Sequence, residues 1–176
     1  LRLDSLIHIT NAVAAMLDGE RLVVFGSASL LASFPELGAK GGSPLLNTYD
    51  ADIIPYPFEE EVGLMLDESF GEDRKFHQKF GYHADIVRPR VTETLPLGWE
   101  DRLVALADQK SVFCLDPHDM AAAKCLIGRE KDSSQIRYLL ENKYLERELL
   151  GQRVSEIALS SELVEKAIRF FKLITS

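Results

Sequence analysis

The sequence predicts an α/β (α+β) chain: a mixed sheet flanked by helices up to about residue 115, then a C-terminal helical bundle. Three observations carry that expectation. Short apolar runs of strand length alternate with stripes of helical period through the first two thirds of the chain. Between residues 21 and 54 a strand, a Gly-Ser step, a helix and a second strand bearing two acids follow one another. At Asp116-Pro117 the alternation stops and only helical periodicity remains. Residues 1–115 are therefore expected to form the core and 116–176 a helical subdomain.

Apolar side chains at Leu3, Leu6, Ile7, Val13, Ala14 and Leu17 make a helical stripe that Asp18-Gly19 ends. Arg21 to Phe25 is a short strand of buried type, closed by Gly26. Ser27 to Phe34 reads as a helix of small and apolar residues stopped by Pro35, and Gly38 to Pro44, with three glycines, as a loop. Thr48 to Ile54 is the second strand, expected to break at Pro55 and Pro57. Glu59–Phe70 and Lys75–Phe80 return to helical spacing, and His83 to Val87 is a third strand. Arg102–Leu106 and Ser111–Leu115 suggest a further strand pair. Asp116 caps a helix with proline in its first turn, which runs to Ile127 and Gly128. Asp132 or Ser133 is expected to cap the next helix, and the last spans Ser160 to about Ile174.

Composition narrows the function classes. Of 176 residues 46% are hydrophobic and 27% charged, an ordinary globular balance, and the net charge is −8. Residues 1–110 hold 18 acids against 10 bases, whereas 111–176 hold 10 of each. An acidic surface repels nucleic acid unless cations or a local basic groove intervene, so an extensive duplex-binding face is not expected. Such a surface suits a site that collects divalent metal. No apolar run is long enough to cross a bilayer. The first twenty residues read as an amphipathic helix rather than a signal peptide, although Leu1 in place of Met suggests missing residues ahead of it. Cys114 and Cys125 lie in apolar contexts without metal-ligand or redox spacing, which favours free thiols and a cytoplasmic setting.

The chemistry concentrates at Asp50 and Asp52. Side chains alternate along a strand, so both project from one face about 7 Å apart. Adjacent carboxylates repel unless a cation sits between them, and Mg²⁺ or Mn²⁺ favours such hard oxygen ligands. An unliganded edge-strand pair is the alternative, although acids between Tyr49 and Ile53-Ile54 are poor strand formers. Gly26-Ser27 supplies the complement: glycine lets backbone approach a phosphate, and the Ser27 hydroxyl and following amides can donate to it. By itself Gly-Ser is more often a plain turn. Asp85, in Tyr82-His83-Ala84-Asp85, is the best candidate for a third acid, its alternative being a solvent-facing strand residue. His8, His77, His83 and His118 form no recognisable catalytic spacing, and Trp99 reads as a packing residue.

Val24-Phe25-Gly26-Ser27 followed by Tyr49-Asp50-Ala51-Asp52-Ile53 resembles the signature of the DNA polymerase β-like nucleotidyltransferase superfamily. His118–Lys124 with Gly128–Asp132, and Leu95–Leu103, are similar to segments of bacterial toxin-type and uncharacterised members. The resemblance covers most of Leu22–Leu140. It departs in spacing, since Asp50 follows Ser27 by 23 residues where about a dozen is usual. It implies Mg²⁺ or Mn²⁺ on Asp50, Asp52 and Asp85, and a nucleoside triphosphate on Gly26 and Ser27. It also implies phosphate contacts from Lys124, with Arg129 and Lys131 as a small basic cluster beside it. From the residues alone Lys124 reads as solvated, and its loss is expected to leave the melting temperature nearly unchanged.

The expected activity is transfer of a nucleoside monophosphate to a hydroxyl on a tRNA end, a protein or a small molecule, with a toxin–antitoxin pair as one setting for it. A groove near Lys124, Arg129 and Lys131 would suffice for a strand end. The other reading is a catalytically inactive module that binds a cognate protein partner. Both acids retained beside Gly26-Ser27 count against decay of the site.

Overall fold

The computed structural model describes residues 1–17 and 19–176; Asp18, half of the helix stop expected at Asp18-Gly19, lies outside the described residues. The chain forms two compact units, one of residues 1–89 and 103–115 and one of residues 90–102 and 116–176.

The first unit is built on a five-stranded mixed sheet. Its strands are β1 (Arg21–Phe25), β2 (Asp50–Tyr56), β3 (His83–Ile86), β4 (Val104–Ala105) and β5 (Val112–Cys114), in the order β3-β2-β1-β5-β4. β1 is central, and Leu22 to Phe25 are all buried, which explains their unbroken apolar run. β2 runs antiparallel to β1, while β3 lies parallel to β2 and β5 parallel to β1. A parallel neighbour needs a crossover, and the helices α3 (Glu60–Phe70) and α4 (Lys75–Phe80) fill the one between β2 and β3. Helix α1 (Leu3–Ala15) buries Leu6, Ile9, Thr10 and Val13, and the Thr10 hydroxyl is satisfied by donating to the Leu6 carbonyl at 2.8 Å. The mixed α/β class expected from the sequence is the one observed.

Two local expectations are corrected here. Pro55 does not end the second strand but stands inside β2, opposite Leu22. Ile53 accepts from Val87 on the β3 side, so Pro55, two residues on, turns its missing N–H toward the same side, beyond the last paired residue of β3. Ser27–Phe34 is not one helix either. Ser27–Ser29 form a 3₁₀ turn before the single turn α2 (Leu30–Ser33). The glycine-rich stretch is likewise organised, by 3₁₀ turns at Pro35–Gly38 and Pro44–Asn47 whose Leu37 and Leu45 are fully buried.

The second unit contains α5 (Pro117–Ile127), α6 (Glu130–Glu141), α7 (Arg147–Ser155) and α8 (Ser161–Thr175). Asp116 caps α5 by accepting from the His118 and Asp119 amides, and Gly128 closes it in the left-handed region at φ 71°. Ala121 and Ala122 are fully buried on α5, which packs against α7 and α8. Residues 90–102, placed with the core by the sequence pattern, fold instead with these helices. The reason is electrostatic as well as apolar. Arg102 grips the fully buried Asp119 with Nε at 2.9 Å and Nη2 at 3.1 Å, Arg153 approaches the same carboxylate at 3.3 Å, and Pro96 bridges to Ile157.

Both cysteines are buried free thiols, and burial pushes each up to about 12. No described helix is long and apolar enough to cross a membrane.

Candidate active site

Alternation along β2 sends Ala51 and Ile53 into the core, both fully buried, and leaves Asp50 and Asp52 half-buried on the opposite face. Parallel pairing with β3 then decides their neighbours. Asp52 stands opposite Asp85 and Asp50 opposite His83, while Ala84 and Ile86 join the core. The three acids each offer a carboxylate oxygen within 4.8 Å of the others. Burial pushes the Asp85 carboxyl above its ordinary value; Asp50, Glu72 and Asp67 add to this against the pull of His83. Three acids so close are mutually repulsive, and a divalent cation with hard oxygen ligands fits that donor set.

The β1–β2 pairing brings the Gly-Ser step to the same place. Phe25 lies opposite Asp52, so Gly26 leaves the strand directly beside that carboxylate. Gly26 adopts φ 60° and ψ −158°, a conformation that only glycine takes readily. A methyl group there would also run into the Asp52 carboxylate, coming within 3.2 Å of Cγ as well as onto Oδ2. Two motifs that the sequence separates by 23 residues thus meet atom against atom. Gly26→Ala is expected to cost about 1–3 kcal/mol of stability and to displace Asp52, weakening metal-dependent nucleotide binding at least about tenfold. Urea melts and calorimetric titration check the two effects, and undiminished nucleotide binding would contradict the close-approach argument.

Residues 2–173 match a family described as "Nucleotidyltransferase of unknown function (DUF6036)". The chain belongs to this family. No curated protein and no solved structure gives a match. Nucleotidyltransferase is thus the general class that family membership supports, and the acidic face of β2 and β3 beside Gly26 is its candidate site.

Within this nucleotidyltransferase unit two further residues attach to the site, and the sequence pattern did not reveal them. Ser29 is fully buried, and its hydroxyl donates to the Gly26 carbonyl at 2.8 Å, holding the turn that presents Ser27. His83 is buried on the acidic face with Nε2 3.4 Å from Asp85 Oδ1, and the His77 ring packs on it at 4.7 Å. Its Nδ1 has no hydrogen-bond partner among the described residues. Two of the four histidines, which form no pattern along the chain, thus come together in space. The period-2 register of β3 was the available signal, since His83 and Asp85 share a face.

Lys124, Arg129 and Lys131 belong to the second unit. Lys131 is exposed. Lys124 is buried, not solvated, and its Nζ donates to Asp132 Oδ1 at 3.0 Å. Arg129 donates from Nε to Oδ2 at 2.8 Å and from Nη2 to Oδ1 at 3.2 Å of the same carboxylate. Asp132 is not the cap residue of α6 but its third residue, accepting the Arg129 backbone N–H in a capping box. Burial would raise its carboxyl, yet Arg129 and Lys124 together hold it below the ordinary value. Lys124 and Arg129, two of the three basic residues of that cluster, thus have a structural partner in this fully buried acid.

Proposed function

We propose that the chain transfers a nucleoside monophosphate from a nucleoside triphosphate to a hydroxyl acceptor, with release of pyrophosphate. The observation that carries this reading is the set of three carboxylates within 4.8 Å of one another, one of them packed against the bare Cα of Gly26. Asp50, Asp52 and Asp85 would hold Mg²⁺ or Mn²⁺, which when bound supplies charge neutralisation for the triphosphate and the departing pyrophosphate. Gly26 lets the Asp52 carboxylate lie against the turn, and Ser27 beside it offers a phosphate a hydroxyl donor. Asp85, opposite Asp52 across the parallel pairing, is placed to receive the proton that the attacking hydroxyl gives up. Ser29 and His83 hold the Gly26 turn and the Asp85 carboxylate in place.

Intact acids beside an intact glycine favour an active enzyme over a binding-only module. Calorimetric titration with ATP, GTP, CTP and UTP, each with and without Mg²⁺ or Mn²⁺, tests the reading. At least one triphosphate is expected to bind only with the cation present. Binding that ignores the metal, or none with any of the four, would overturn it.

A further inference from the structure

We infer that α4 and the rings beside it form a platform for a single-stranded nucleic acid, whose end is the hydroxyl acceptor; this rests on the transfer reading above. The first unit carries 15 acids and 8 bases. Three of those bases, Arg74, Lys75 and Lys79, fall within six consecutive residues that contain no acid, Glu72 and Asp73 lying just before them. All three are exposed, and none is in an ion pair among the described residues. In a unit otherwise dominated by carboxylates, this short helix is a local cationic surface.

Aromatic rings interleave with these cations. Phe76 and Phe80 sit 4.7 Å apart, and the Lys79 ammonium lies over Phe80 at 5.0 Å. His8 closes on Phe80 at 4.6 Å, and Tyr82 continues the cluster 6.2 Å from Phe80. Phe80 remains 39% exposed despite its size. Tyr82 then lines a cleft of about 480 Å³ together with Arg2 and Tyr49, the latter 56% exposed. Tyr49 and Tyr82 immediately precede Asp50 and His83, and the Tyr49 carbonyl accepts the His83 amide at 3.0 Å. The series of rings therefore ends where the two acid-bearing strands begin.

A single strand offers a phosphate charge at each step and a flat π-face at each base, which spaced cations and exposed rings match. A small acceptor has no use for cations spread along a helix. An acidic peptide would use the cations but leave the exposed rings without a role.

The test uses the full chain, a labelled single-stranded RNA of about ten nucleotides and the DNA of the same sequence. Fluorescence anisotropy is read from about 50 to about 200 mM salt, with Mg²⁺–triphosphate binding measured in parallel. The parent should bind at least one of the strands. Lys75→Glu/Lys79→Glu should weaken that binding at least about tenfold and flatten the log–log salt slope by about 1.4, from roughly 0.7 per phosphate contact. Its triphosphate binding and melting temperature should not change. Phe80→Ala should cost about tenfold in strand affinity with the salt slope kept, since stacking releases no counterions. Failure of the parent to bind either strand, an unaffected double variant, or tighter binding of a polyglutamate peptide would overturn the platform. Strand binding lost with triphosphate binding intact leaves the transfer reading standing. Triphosphate binding lost with strand binding intact overturns that reading, and the acceptor role with it.

Discussion

Asp52→Asn is expected to abolish metal-dependent triphosphate binding and to lower turnover at least about a thousandfold, on the order of 4 kcal/mol in transition-state terms. Asp52 is the central acid of the three. It faces Asp85 across the parallel pairing and touches the bare Cα of Gly26. The amide keeps the shape of the side chain while removing one charge and one hard ligand. Without metal the variant should melt no lower than the parent, because neutralising one acid relieves repulsion within the cluster. With metal, the parent should gain stability as binding to the folded state dictates, about 2.7 kcal/mol at a cation concentration a hundredfold above Kd, and the variant should not. Scanning calorimetry with and without Mg²⁺, beside turnover of radiolabelled triphosphate, measures both. A variant that still gains stability from the cation would remove Asp52 from the metal site.

The largest stability effect is expected at Asp132. Asp132→Ala leaves Lys124, 10% exposed in its side chain, without the carboxylate that its ammonium reaches at 3.0 Å. Breaking a buried pair from one side costs about 3–5 kcal/mol, because the stranded charge has neither water nor partner. Arg129, half exposed, can turn to solvent and adds little to that cost. Asp132→Leu/Lys124→Met should recover much of the loss, since an apolar pair leaves no charge buried.

The pH dependence has a definite sign. The Asp132 carboxyl is held below its ordinary 3.8 in the folded state, so the unfolded chain binds its proton first as pH falls. Its contribution is full above about pH 3.8 and is lost as pH drops through the lower folded value. Asp132→Asn should lack that part of the acid destabilisation. Urea denaturation at neutral and acid pH checks both claims, and a loss below about 1 kcal/mol for Asp132→Ala would show that Lys124 reaches water on its own.

The history of Lys124 shows why part of the molecule was not legible. On its helix it stands among alanines and apolar residues, a position that reads as solvated when no partner is in view. Its partner is eight residues on, beyond the turn at Gly128, in the first turn of α6. Helix-face reasoning ends at Gly128, so it could not pair the two. Arg102 and Asp119 are hidden in the same way, since 17 residues and a strand pair separate them. Asp85 was legible as the candidate third acid but not in its register opposite Asp52, because a strand does not announce its neighbour.

What the sequence determined by itself is what local chemistry can determine. Alternation put Asp50 and Asp52 on one face, the Gly26-Ser27 step closed the first strand, and Asp116-Pro117 began the helical part. Only the tertiary structure decided that β3 lies parallel to β2 in the register that sets Asp85 opposite Asp52. It alone laid Gly26 against that carboxylate, gathered Lys124 and Arg129 onto Asp132, and set the rings of α4 in line with Tyr82. The physical reason is one of range. Period and capping act within a few residues and are written locally, whereas register and ion pairing join groups that the chain keeps apart until the core excludes water and brings them together.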